Sequence, residues 1–266
     1  MNVVLFCGGQ GMRLREAAMA VPKPMAVIGY RPILWHLMKY YSFYGHHDFV
    51  LCLGHGADVI KEAFLNYNEC ISNDFILSGG GKQIELLRQD IGEWRITFVD
   101  TGQNASVGER LRRVRRFVGD DEMFLANYAD GLSDLPLQEL IEYFKDSLKI
   151  ACFVGVKPTA SFHRISLRPD GVVSEIEHIA RSGSLINGGF FVFRREIFDY
   201  IKEGEDLVEE PFHRLMADEQ LIAYPYEGFW ACMDTFKEKQ HLDDLHASGH
   251  APWQVWETGV TVLEGR

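Results

Sequence analysis

Cysteine is scarce and shows no pairing pattern. Cys7, Cys52, Cys70, Cys152 and Cys232 are scattered, odd in number and without any C-x-x-C. That excludes a disulfide framework and a zinc site of ordinary Cys/His spacing, and it predicts reduced thiols in a cytoplasmic protein. Long apolar runs are also missing. No segment reaches the ~20 apolar residues of a membrane span. The amino-terminal run lacks a basic leader and breaks at Gly8, so no signal peptide is expected. Basic residues are in deficit: 27 Lys and Arg stand against 38 Asp and Glu, for a net charge of -11. This excludes a general affinity for nucleic acid or anionic membrane, while leaving room for an anionic small molecule held by local cations. Three familiar motifs fail. The dinucleotide fingerprint breaks at Leu14, no Gly-Lys-Ser/Thr follows a glycine loop, and no G-x-S-x-G turn supplies a nucleophile. His46, His47, His163 and His178 lack metal spacing.

What is present suits one globular chain with a full core: 266 residues, 47% apolar and 24% charged. The first half alternates. "NVVLFC", "DFVLCLG", "RITFVDTG", "EMFLANYADG" and "KIACFVGV" read as strands. "PILWHLMKYYSFYG", "ADVIKEAFLNY", "GERLRRVRRFVG" and "PLQELIEYFKDS" read as helices, the third with Leu111, Val114 and Val118 on one face. Continuous apolar strands between helices predict an α/β fold, a mostly parallel, Rossmann-like mixed sheet flanked by helices. The second half turns to α+β. It has a hairpin about Pro169-Asp170-Gly171, a single strand in "SLINGGFFVFRR", short helices at "EIFDYI" and "EEPFHRLMAD", strands at "QLIAYPY" and "GFWACM", and a closing helix. "CISNDFILSGGGKQIELL" reads as an exposed excursion or edge hairpin. With no linker, residues 1–266 are expected to form a single domain, halved near 150 (1–150 and 151–266).

The stretch "LFCGGQGMRLREAAMAVPKPMAVIG" joins a strand to a glycine loop and two cations. A loop there sits at the carboxyl edge of the sheet, where backbone N–H groups can approach phosphate. Arg13 offers a bidentate fork, and Lys23, between Pro22 and Pro24, is expected to be held extended on a stiff segment. Asp130 ends the strand in "FLANYADG". Asp234 follows another strand, and "TFKE" forms a capping box from Thr235 to Glu238, which leaves Asp234 free to face a site. Two such carboxylates suit Mg²⁺, which takes one or two carboxylates plus phosphate oxygens and water. The basic run "RLRRVRRF" puts Arg112, Arg113, Arg115 and Arg116 on solvated faces, while Arg110 at its start can turn toward a nucleotide.

Together, Gly8, Gly9, Gly11 and Arg13, then Pro22-Lys23-Pro24-Met25, resemble the signature of sugar-1-phosphate nucleotidylyltransferases. The resemblance continues through "GYRPILWHLMKYYS", "VDTG", "GERLRRV", "YADG", "LINGGFFVF", "GFWACMDT" and "APWQVWE". It is greatest toward glucose-1-phosphate cytidylyltransferases. It implies a fold of the nucleotide-diphospho-sugar transferase type, with residues 1–150 as the nucleotide-binding half and residues 151–266 as the acceptor-binding half. It further implies Mg²⁺, CTP, a phosphorylated small-molecule acceptor and a homo-oligomer. Nucleotide contacts would fall to Gly8, Gly9, Gln10, Gly11, Met12, Arg13, Lys23, Arg110 and Ala129, and the metal to Asp130 and Asp234. Arg13, Lys23, Asp130 and Asp234 would carry the catalysis. Arg164, Glu177, His178, Asn187, Gly188 and Gly189 would line the acceptor side. Three departures stand out. Met12 replaces a threonine, Ala129 a glycine, and Glu177-His178-Ile179 the usual Glu-Lys-Pro, whose lysine holds the sugar phosphate. The exchange leaves two options: Arg164 supplies the missing charge from the adjacent strand, or the pocket is remodelled for another acceptor, which gives a second reading, a cytidylyltransferase for another phosphate or phosphonate. A third is a non-catalytic nucleotide-binding regulator.

Overall fold

Residues 1–9, 21–119, 121–159 and 162–258 are described by the computed structural model. Four consecutive apolar residues make β1 (Val3–Phe6), buried on both faces. A turn at Lys23–Met25 leads to the short ladder of β2 (Val27–Ile28) and β3 (Arg31–Pro32), then α1 (Ile33–Phe43). Pro32 caps α1 with extended φ and ψ, and Gly45 lies two residues beyond its last turn at φ +83°. The alternation runs on through β4 (Asp48–Leu53), α2 (Ala57–Leu65), the hairpin β5 (Phe75–Ser78) and β6 (Gln83–Leu86), β7 (Arg95–Asp100), α3 (Val107–Val114), β8 (Met123–Tyr128), β9 (Gly131–Ser133), α4 (Leu137–Ser147) and β10 (Ala151–Val156). The second half adds the hairpin β11 (His163–Leu167) and β12 (Val173–His178), then β13 (Ile186–Asn187), β14 (Phe191–Arg194), α5 (Glu210–Ala217), β15 (Leu221–Tyr226), β16 (Trp230–Cys232), α6 (Phe236–Ala247) and α7 (Val255–Thr258).

The central sheet runs β13-β10-β14-β8-β1-β4-β7, with β15 paired to β10. β8, β1, β4 and β7 are mutually parallel neighbours, and β14 joins antiparallel to both β8 and β10. Side chains of β1 alternate between two cores. Val3 and Leu5 pack with α1 and α4, whereas Val4 and Phe6 pack with α3 and α5. Helices therefore cover both faces, as continuous apolar strands require. Leu111, Val114 and Val118 are fully buried, as the helical spacing predicts. The excursion is the isolated β5–β6 hairpin, with Phe75, Ile76, Leu77 and Ile84 exposed.

Two expectations are corrected. Lys23 is not extended: Lys23–Met25 forms a 3₁₀ turn, closed by Met25 N–H to the Pro22 carbonyl (2.8 Å) and Ala26 N–H to that of Lys23 (3.0 Å). A first-turn proline needs no N–H donor, so Pro24 fits that turn at no cost in hydrogen bonds. The strand expected in "SLINGGFFVFRR" is two, because its register against β10 slips between Asn187, opposite Gly155, and Val192, opposite Cys152. Gly189 (φ +76°) and Phe190 (φ +49°) make that break.

Candidate active site

From β1 the chain proceeds to β4 and β7 on one side, and β8 lies on the other. A crevice opens at the carboxyl ends of strands where order reverses in this way. Gly8 and Gly9 leave β1 there, and Ala129 and Asp130 leave β8. A cavity of about 380 Å³ lies between them, walled also by Lys23, Tyr128 and Asp234. The Lys23 ammonium lies 3.4 Å from Asp130 Oδ2 and in direct contact with Asp234 Oδ1. Burial disfavours its charge, but the two carboxylates outweigh burial and raise its pKa. Asp130 is pushed upward, chiefly by burial and partly by the Asp234 charge, with Lys23 opposing both.

Asp234 reaches this point because α6 is capped without it. The Glu238 carboxylate accepts the N–H groups of Asp234 (2.8 Å) and Thr235 (2.7 Å), and Thr235 Oγ1 accepts that of Glu238. The capping box foreseen from the sequence is therefore present, and the Asp234 side chain faces the cavity. Two carboxylates gripping one cation from separate loops form a donor set that suits a hard divalent ion. No cluster of three or more acidic, histidine or cysteine ligands occurs among the described residues, so the other positions would fall to phosphate oxygens and water.

Arg110 lies under the loop, not in the cavity. Its Nη1 donates to the Leu53 carbonyl (3.0 Å) and to Thr101 Oγ1 (2.7 Å), and Nη2 to the Gln103 carbonyl (3.3 Å). A Cβ at Gly8 would overlap this guanidinium, so only glycine brings the loop so close to it. Gln10, Gly11, Met12 and Arg13 lie outside the described residues. Arg112 and Arg113 are not merely solvated: both bond the buried Glu109 carboxylate.

Asn187 Oδ1 accepts the Gly189 N–H (2.9 Å), and its amide donates to the hydroxyl of Tyr128 (3.4 Å), a residue of the cavity wall. Asn127 Oδ1 accepts the Phe190 N–H (2.9 Å), and Trp230 Nε1 donates to the Gly188 carbonyl (2.8 Å). The turn of Asn187, Gly188 and Gly189 is thus fixed beside the cavity. A second cavity, about 590 Å³, adjoins the first and shares Asp234 with it. Arg164, Glu177 and His178 wall neither cavity. They sit on the β11–β12 hairpin, where Arg164 Nη2 is 3.2 Å from Glu177 Oε2 and 3.7 Å from Glu175 Oε2. His178 Nδ1 accepts the Ala180 N–H.

Sequence reasoning passed over Tyr128, Thr101, Asn127 and Trp230. Tyr128 and Asn127 precede Asp130 in the quoted strand and were open to notice. Thr101 and Trp230 act through contacts remote in sequence, which no local spacing reveals.

No family model matches the chain. Among curated relatives, the glucose-1-phosphate cytidylyltransferase of Salmonella typhimurium is 39% identical over 258 residues, covering 97% of this chain and 100% of the relative. A probable glucose-1-phosphate cytidylyltransferase of Bacillus subtilis is 36% identical over 258 residues, covering 96% and 100%. Among solved structures, UDP-glucose pyrophosphorylase complexed with UDP-glucose superposes with a TM-score of 0.67 at 14% identity, covering 93% of this chain and 98% of that one, which is a likeness of fold.

Proposed function

The chain belongs to the glucose-1-phosphate cytidylyltransferase family, and from that premise we propose that it transfers a cytidylyl group from CTP to a sugar 1-phosphate, with glucose 1-phosphate as first candidate, giving a CDP-sugar and pyrophosphate. The observation that carries this reading is the meeting of Lys23, Asp130 and Asp234 at the glycine loop. The acceptor phosphate oxygen attacks the α-phosphorus in line as pyrophosphate leaves. That oxygen is already ionised, so the side chains need only position the reactants and offset charge. Lys23 and the loop N–H groups hold the triphosphate, and Gly8 lets the Arg110 charge lie directly beneath it. Mg²⁺ held by Asp130 and Asp234 would offset charge on the phosphate oxygens. Five free cysteines support a cytoplasmic location, and the family resemblance supports a homo-oligomer. No helix among the described residues is long and apolar enough to cross a membrane.

A second reading, transfer to another phosphate or phosphonate, draws support from His178 standing where the resemblance expects lysine and from Arg164 being paired with glutamates. Pyrophosphate release with Mg²⁺, CTP or UTP, and a panel of acceptors separates the two. Release with CTP and glucose 1-phosphate is expected. Lys23→Ala and Asp234→Ala should lose most of it with unchanged circular dichroism. Release only with another acceptor favours the second reading, and none with any acceptor overturns both.

A further inference from the structure

The acceptor's phosphate brings about two negative charges to a site that already holds two carboxylates, so it needs a cation of its own. On the transfer reading, that cation belongs on the acceptor side of the site. On the acceptor side most basic side chains are already neutralised. Arg164 is bonded by Glu177 and Glu175, Lys157 lies 2.8 Å from Glu227, and Lys239 lies 2.6 Å from Asp243. Lys237 differs. It lies in the first turn of α6, walls the second cavity, and forms no ion pair among the described residues.

Position and chemistry agree. The second cavity meets the nucleotide cavity at Asp234, three residues before Lys237. His241, four residues further along α6, walls the same cavity, because i and i+4 share a helix face. Glu238 also reaches the wall, with one carboxylate oxygen, Oε2, turned to the N–H groups of Asp234 and Thr235. Much of the remaining lining is apolar, Phe162 and Trp230 included, and the Trp230 ring is held by its bond to the Gly188 carbonyl. A charged end beside the reacting phosphates and an apolar wall for the body suit a small phosphorylated molecule.

We propose that Lys237, with His241 beside it, binds the acceptor's phosphate in this second cavity, in the role that the resemblance would give to a lysine at position 178. The anion meets a side chain that no carboxylate among the described residues pairs with, and β11–β12 takes no part in holding it.

Calorimetric titration with glucose 1-phosphate, inorganic phosphate and unphosphorylated glucose tests this on the full chain with CTP bound or absent. Lys237 is exposed, so its variants should fold. Lys237→Ala should weaken glucose 1-phosphate and phosphate about tenfold, the loss of one charge-assisted contact, with CTP affinity unchanged. Lys237→Arg should recover most of that loss, and Arg164→Ala should change little. Wild-type affinity in Lys237→Ala overturns the proposal, as does failure of glucose 1-phosphate and phosphate to bind the wild-type chain. Binding sensitive to Lys237 without pyrophosphate release supports this site and overturns the transfer reading. Release that is insensitive to Lys237 does the reverse.

Discussion

A methyl group at position 8 has nowhere to go. The guanidinium of Arg110 lies directly against the Gly8 backbone and is itself held by Leu53, Thr101 and Gln103. Gly8→Ala must therefore displace either the loop or the arginine. We expect a loss of about 1–3 kcal/mol in stability, the usual cost of overpacking, and a larger effect on the KM for CTP than on that for the acceptor. Urea denaturation and initial rates check both parts, and an unchanged KM for CTP would detach Arg110 from the nucleotide. At this scale the sequence reveals chemistry better than geometry. A glycine loop, a proline-flanked lysine and two strand-end aspartates declare themselves through local spacing. That Lys23 bridges both aspartates does not, since Asp130 is 107 residues away and Asp234 is 211. Arg110 was legible as important, but its place beneath the loop depends on carbonyls from two other strand ends.

The helix that carries Arg110 is anchored by Glu109. This buried carboxylate accepts bonds from Arg112, Arg113 and the Gly204 backbone N–H, and so ties α3 to the loop after the Arg195–Asp199 turn. The Arg112 hydrogen bond, helped by the Gly204 N–H and Arg113, holds its pKa down at about 2. A depressed carboxylate contributes its stability above the unfolded pKa and loses it as pH falls toward the folded one. The contribution should be complete above about pH 5 and fade between there and pH 2. Glu109→Gln should be less stable than wild type at pH 7, with the gap closing toward pH 3, measured by urea midpoints across that range. A gap independent of pH would show that packing, not charge, anchors α3. Elements were the most legible level. Apolar runs, Pro32 before α1, the capping box of α6 and the Pro-Asp-Gly hairpin each carry a local cause. The break between β13 and β14 was not legible, because it is imposed by Asn127 and Trp230 from elsewhere in the chain.

Across the whole molecule, the segment around Trp253 closes over the first helix. Trp253 is fully buried, and its Nε1 donates to Nδ1 of His36, 217 residues earlier on α1. His36 Nε2 must then carry the proton and donate to the Ile28 carbonyl (3.0 Å). Both ring nitrogens are committed to the neutral form, and burial lowers the pKa to about 4. The sheet order and its helical layers follow from alternation in the sequence, but this closure does not, since nothing local to Trp253 names a histidine on the first helix. Its consequence is a dependence on pH. Below about pH 6.5 the unfolded chain gains a proton that the folded chain refuses until about pH 4, so stability should fall as pH drops through that window and be flat above it. The full effect is roughly 3 kcal/mol. Glutamine at position 36 offers an amide N–H for Ile28 and an oxygen for Trp253 without titrating. His36→Gln should therefore lose less stability than wild type between pH 7 and 5, read from urea midpoints with Trp253 fluorescence as a local probe. Parallel curves for the two proteins would mean that the closure is held by the buried indole alone and that the histidine plays no part in its pH dependence.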